Sequence, residues 1–139
     1  MRRHLLFLIC LLFLASESLA ETFYIDNLLS QDITNGSYSI ANRSGGGKDG
    51  NAYKDFKRFT LAKSFKDGDI CYVRSGVYNC KENSDAINVQ ANNVILSGYN
   101  NEIVVIDGSP GRDAIFVANV SNVTVTKLTV RNSSKKGIV

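Results

Sequence analysis

The sequence predicts an all-β chain wound into a solenoid of stacked coils, with one short helix near its start. Three observations carry that prediction. The pentapeptide DAINV at 85–89 returns as DAIFV at 113–117. Each copy is followed by an asparagine-led strand pattern, NVILS from Asn93 and NVTVT from Asn122, and then by a third strand, IVVID from Ile103 and LTVRN from Leu128. After Asp85 no helical periodicity occurs, only short apolar clusters separated by Asn, Gly and Ser. Unit starts at Ala86, Ala114 and Gly137 give steps of 28 and 23 residues, a period that belongs to stacked supersecondary units. Equivalent strands then pair in parallel about 4.8 Å apart, and their inward side chains make the core. Leucine-rich repeats share the period, but the regular leucine frame they need is missing.

The first twenty residues stand apart from this pattern. Arg2, Arg3 and His4 make a positive start, Leu5 to Ala15 is apolar, and Ser18-Leu19-Ala20 has the small residues a signal peptidase reads before a cut between Ala20 and Glu21. The apolar run is too short to span a bilayer, so a removable secretory signal is expected, with an uncleaved anchor as the alternative. The expected location is secreted or periplasmic, with no membrane segment left after cleavage. Removing residues 1–20 leaves 119 residues with 14 basic and 12 acidic side chains. That balance gives no argument for nucleic acid or an anionic membrane as partner. It also removes the chain's one histidine, His4. Ser-His-Asp relays, Cys-His pairs and HExxH zinc sites are thereby excluded from the mature chain.

Residues 21–68 are expected to form an N-terminal strand, a loop and a helix, and residues 69–139 the coils, all in one domain. ETFYIDN at 21–27 is extended, with Phe23 and Ile25 on one face and Tyr24 on the other. Ser30 to Lys54 is rich in Ser, Asn and Gly and reads as a long flexible connection. Its Gly45-Gly46-Gly47-Lys48 is not a phosphate loop: Asn42 stands where the first glycine belongs, and Asp49 replaces the Ser or Thr. In FKRFTLAKSFK, 56–66, Phe56, Phe59 and Phe65 recur at multiples of three, with Leu61 and Ala62 near the same side and lysines on the solvated face. Thr60 is a candidate helix start. DGD at 67–69 is a turn, and ICYVRSGVY is a strand broken at Ser75-Gly76.

Cys71 and Cys80 remain in a chain bound for an oxidising compartment. They are a candidate disulfide, worth about 2.5 kcal/mol in the chain-entropy model, or two free thiols. Neither has a histidine to make it a nucleophile.

FTLAKSFKDGDICYVRSGVYN resembles the capping helix, Gly-Asp turn and first strand of right-handed parallel β-helix proteins in the pectin lyase-like superfamily. Gly68, Asp69, Cys71, Val73, Gly76 and Tyr78 match the frame, with Cys71 where Ile or Val is usual. The resemblance runs from about Phe23 to the end. It implies a right-handed parallel β-helix covered at one end by a helix, and a polysaccharide as substrate or ligand. Such a coil needs both ends covered, and only a cap and about two coils can be counted here. The chain is therefore expected to be the leading part of a longer β-helix, inactive alone, unless another chain supplies the next coil.

Catalytic groups of the superfamily lie on outer faces of central coils. The acidic candidates are Asp85 and Asp113, equivalent positions of consecutive coils. Stacked like charges repel unless a cation or base lies beside them, so one reading is a calcium or substrate site. The other is that each aspartate starts a strand by bonding its own backbone, with Lys136 as ion-pair partner of Asp113. No cofactor is called for, and calcium, possible in the superfamily, has no support in these residues. Asp107 and Arg112 read as turn charges in solvent. Asn35, Asn119 and Asn122 begin glycosylation-type triplets. Two functions follow: part of a secreted polysaccharide lyase or glycosidase, or a non-catalytic surface solenoid that binds carbohydrate or a host surface.

Overall fold

Alternation of side chains along each strand sets the walls of the molecule. The computed structural model describes residues 19–80, 87–108, 114–133 and 136–139. In chain order the elements are β1 (Thr22–Ile25), β2 (Tyr38–Ser39), β3 (Ser44–Gly45), β4 (Asn51–Tyr53), α1 (Phe56–Ala62), β5 (Ile70–Val73), β6 (Gly76–Asn79), β7 (Ile87–Val89), β8 (Ile95–Gly98), β9 (Val104–Asp107), β10 (Ile115–Val117), β11 (Thr124–Thr126) and β12 (Thr129–Arg131). They form a parallel β-solenoid of about four turns. One wall is a five-stranded parallel sheet in the order β4-β1-β5-β8-β11, a second is β6-β9-β12, and a third is β7-β10. Strands β2 and β3 pair antiparallel outside the coil.

The repeat steps read from sequence are the stacking steps. Ile87 pairs with Ile115, and Ile115 bridges in parallel to Ile138, so Gly137-Ile138-Val139 opens a third layer of that wall. The stack exceeds the two coils expected because β1 and β4, from the segment assigned to a leading strand and a loop, belong to the main wall. Inward columns follow the pairing. Phe23, Cys71 and Leu96 are in register on one wall and Tyr78 and Ile106 on another, all buried in one cluster.

One corner shows why asparagine is so frequent. Gly68, Asn93 and Asn122 occupy equivalent places before β5, β8 and β11, with φ of 84°, 56° and 56°. L-residues resist this left-handed region, and asparagine tolerates it best after glycine. The side chains also bond from coil to coil. The Asp67 carboxylate accepts from the Asn92 N–H at 2.9 Å, Asn92 Oδ1 accepts from the Ser121 N–H at 3.0 Å, and Asn122 Nδ2 donates to Asn93 Oδ1 at 3.1 Å.

The helix covers the β4 end with aromatic rings, and Phe59 stacks on Phe23 at 4.7 Å. It differs from expectation in its limits. Asp55 is the N-cap, accepting from the Arg58 N–H at 2.7 Å, while Thr60 lies inside and bonds back to the Phe56 carbonyl. Leu61, placed with the phenylalanines by its spacing, is 78 % exposed, because the helix ends at Ala62 and Phe65 reaches the core from beyond it. The segment 30–54 is also not a loose connection. Besides β2, β3 and β4 it holds bridges from Ile33 to Ala52 and from Ser37 to Gly50.

Gly98, in β8, sets a close approach between coils: a Cβ there would lie 2.1 Å from the Lys127 carbonyl oxygen. Gly98→Ala is expected to cost roughly 2–3 kcal/mol by forcing the backbone apart. Gly46→Ala, at φ 94° with open space around it, should cost about 1 kcal/mol from backbone strain alone. Urea denaturation midpoints of the two variants test this order.

Candidate functional site

Asp85 and Asp113, the acidic pair read from the repeats, lie outside the described residues, as does Arg112. Asp107 is not a lone charge in solvent. Arg131 in the next coil pairs with it at 2.8 Å, and Asn132 donates to its other oxygen at 2.9 Å.

The structured segment after β1 builds a site that the sequence reading passed over. Its foundation is Asp26, a fully buried carboxylate. Asp26 accepts from Arg43 through Nε (3.0 Å to Oδ2) and Nη2 (2.5 Å to Oδ1), from the Tyr38 hydroxyl at 2.6 Å and from the Leu28 N–H at 3.1 Å. Arg43 is held in turn by the Ser75 hydroxyl at 2.8 Å and the Ser75 carbonyl at 3.0 Å. Next to it Arg74 binds Glu102 through both nitrogens of its fork, at 2.9 and 2.7 Å, and donates to the Tyr38 hydroxyl and the Ile40 carbonyl. The Arg74 guanidinium lies 4.9 Å from the centre of the Tyr99 ring. Tyr24, Tyr72 and Tyr99 line the outer face of the main wall under this layer, Tyr24 and Tyr72 being register neighbours.

Burial pushes the Asp26 pKa up, but the hydrogen bonds of Arg43, Tyr38 and the Leu28 amide together hold it below its ordinary value. Glu102 is lowered by its hydrogen bonds to Arg74, against burial. Burial and the neighbouring Asp26 carboxylate raise Tyr38.

Above this charged floor lies a cleft of about 440 Å³ between residues 28–35 and the β2–β3 hairpin. Its neutral polar lining comes from Ser30, Gln31, Thr34, Asn35, Ser37 and Ser44. Leu28, 67 % exposed, and Ile33 add apolar surface. The lining has one carboxylate, Asp32, and one cation, Arg43, which Asp26 neutralises. Asp32 Oδ1 accepts the Lys54 N–H at 3.0 Å, which leaves Oδ2 able to meet a ligand. The sequence signal for this site was present in the polar residues themselves. It was masked because a stretch so poor in apolar residues gives no periodicity.

At the β4 end, Glu21 and Asp69 flank Lys63. Lys63 Nζ lies 2.9 Å from Glu21 Oε2 and 4.5 Å from the centre of the Phe23 ring, so it is not on the solvated helix face. Burial pushes the Glu21 pKa up, yet hydrogen bonds from Lys63 and Asn51 leave it below its ordinary value. Ala20, on the other side of the expected cleavage point, is exposed.

Cys71 and Cys80 are free thiols, both buried. Cys71 points inward from β5 and Cys80 follows β6, so the two enter the core from different walls. Burial raises Cys71 well above its usual value and pushes Cys80 up to about 11. No family model matches the chain, and neither a curated protein nor a solved structure does.

Three outcomes follow from these groups. Because Asp26, Glu102 and Glu21 have lowered pKa values in the fold, their stabilisation is complete above the ordinary carboxylate values of 3.8 and 4.5 and is lost as pH falls through the folded values. Urea midpoints should be flat from pH 7 to about 5 and drop steeply below about 4, with Arg43→Ala costing roughly 3–5 kcal/mol at pH 7 by leaving a buried charge unpaired. Both thiols should resist a thiol reagent in the native state and react on unfolding; fast native labelling of either would contradict their burial.

Proposed function

We propose that this β-solenoid is a secreted protein that binds a polysaccharide in the cleft beside the β2–β3 hairpin. The observation that carries the reading is the lining itself. Neutral hydroxyl and amide groups surround a small apolar surface at Leu28 and Ile33. Sugars present that same combination, with hydroxyls that both donate and accept and an apolar ring face. Asp32 Oδ2 adds a strong acceptor for a sugar hydroxyl.

Binding fits this cleft better than cleavage. Hydrolysis calls for two carboxyl groups about 5–9.5 Å apart, whereas the lining offers Asp32 alone. Elimination from a uronate calls for a base and for a cation to neutralise the sugar carboxylate, and the Arg43 charge is already spent on Asp26. The same electrostatics favour an uncharged saccharide, since a uronate would set its carboxylate against Asp32. Secretion rests on the positive start, apolar run and Ser18-Leu19-Ala20 of the sequence.

Gel retardation in matched polysaccharides tests this. Methyl-esterified pectin and neutral galactan should retard the chain more than polygalacturonate does, with no unsaturated uronate appearing by ultraviolet absorbance. Leu28→Ala should weaken retardation about tenfold by removing the apolar contact, and Asp32→Asn should raise the affinity for polygalacturonate. Turnover of any of the three, abolished by substitution in the cleft, would replace binding with catalysis.

A further inference from the structure

The start of β1 carries an unbalanced charge. Two carboxylates, Glu21 and Asp69, share one ammonium, Lys63, which is 2.9 Å from Glu21 Oε2 and 3.7 Å from Asp69 Oδ2. The Asp69 side chain is fully buried, while that of Glu21 is 37 % exposed. Asp69 has no second cation within ion-pair distance among the described residues. Its Oδ2 accepts the Lys66 N–H at 3.0 Å, and its Oδ1 accepts the main-chain N–H of Glu21 at 2.8 Å. A buried carboxylate is thus aimed at the nitrogen that follows Ala20.

We propose that cleavage between Ala20 and Glu21 converts that nitrogen into an α-ammonium whose ion pair with Asp69 locks β1 into the main wall. The proposal rests on the secretion reading given above. In the cleavage, water adds across the amide: its oxygen goes to the Ala20 carbonyl carbon, which leaves as a carboxylate, and both its hydrogens end on the Glu21 nitrogen. The C–N bond is the one broken, and no other reactant is needed. Within ion-pair distance the count changes from two carboxylates and one ammonium to two of each, with Lys66 acting on Glu21 from further away.

No rearrangement is needed to make the pair, because the nitrogen already lies at hydrogen-bond distance from Asp69 Oδ1. The change replaces a neutral donor with a charged one, which roughly doubles the strength of a hydrogen bond to a carboxylate. Burial of Asp69 limits the screening that makes surface pairs weak. The benefit falls on a central strand, since β1 sits between β4 and β5. The anchor is the turn that the DGD sequence makes before β5, where Asp69 also closes its own loop on Lys66.

The groups around the new ammonium set its pH dependence. From the segment after α1 come Lys63 and Lys66, from the turn before β5 comes Asp69, from β1's own start the Glu21 carboxylate, and from β4 the Tyr53 phenol and the Asn51 amide. An α-amino group ordinarily titrates near 8. Direct contact with buried Asp69 favours its charged form and raises that value. A raised folded pKa means that the stabilisation is complete below about pH 8 and is lost as pH rises through the folded value.

The test uses the chain expressed with residues 1–20 in place and collected as secreted product. Its mass should place the N-terminus at Glu21. Selective acetylation of the α-amine should then lower the folding equilibrium constant about tenfold at pH 7, the equivalent of an α-amino pKa raised by about one. The difference should disappear above about pH 10 and in Asp69→Asn. Should Asp69→Asn not fold, the rate of α-amine acylation against pH gives the same answer, with a higher apparent pKa in the folded chain than in urea. Equal stability of free and acetylated forms, or an α-amine that titrates alike folded and unfolded, would overturn the ion pair. A different N-terminus would overturn the cleavage reading on which it stands.

Discussion

A carboxylate without access to water must be met by donors, or the region around it cannot form, and Asp26 is such a carboxylate at the end of β1. The outer layer beside the main wall, with the β2–β3 hairpin, is arranged to satisfy it. Arg43 reaches it from the β2–β3 hairpin, Tyr38 from β2 and the Leu28 amide from its own turn. Arg43 is then held at Ser75, between β5 and β6, so the outer layer is bonded to the coil rather than resting on it. Arg74 and Glu102 extend the network to the next coil. Burying an ion pair is not favourable in itself. Its effect here is to leave the hairpin one position in which all the partners are met, and that position forms one side of the cleft.

The solenoid was readable because its signal is a repetition. DAINV and DAIFV predict the pairing of Ile87 with Ile115, and KGI predicts the bridge to Ile138, to the residue. The asparagines that looked like loop composition proved to be corner residues with left-handed backbone. The first third of the chain was less legible, for physical reasons that can be named. Tyr38, Arg43 and Asp26 follow no period, so their meeting is a tertiary fact. Lys63 follows a helix too short for periodicity to tell a solvated lysine from one turned back over Phe23. Leu61 erred the other way, since apolar spacing carries no information about where a seven-residue helix stops.

The cleft and the coil divide the work between them. Hydrogen-bonded strands and a continuous apolar column make the walls stiff, and a stiff wall is a good base for a site made of small polar side chains. Those side chains have little packing of their own. Gln31, Asn35 and Ser44 gain their positions from backbone bridges at Ile33 and Ser37 and from the hairpin. Preorganisation of this kind reduces the ordering cost of binding a flexible ligand.

The order of strands in the main wall has a consequence of another kind. Repeat proteins usually tolerate trimming, because each unit touches only its neighbours and an end unit can be removed with little effect on the rest. Here the first strand of the chain is an inner layer: β1 lies between β4 and β5, and β4 lies outside it. Losing residues 22–25 would open a gap in the middle of the stack. The N-terminal end of this solenoid is therefore not modular. Its helix, hairpin and first two layers are gained or lost together.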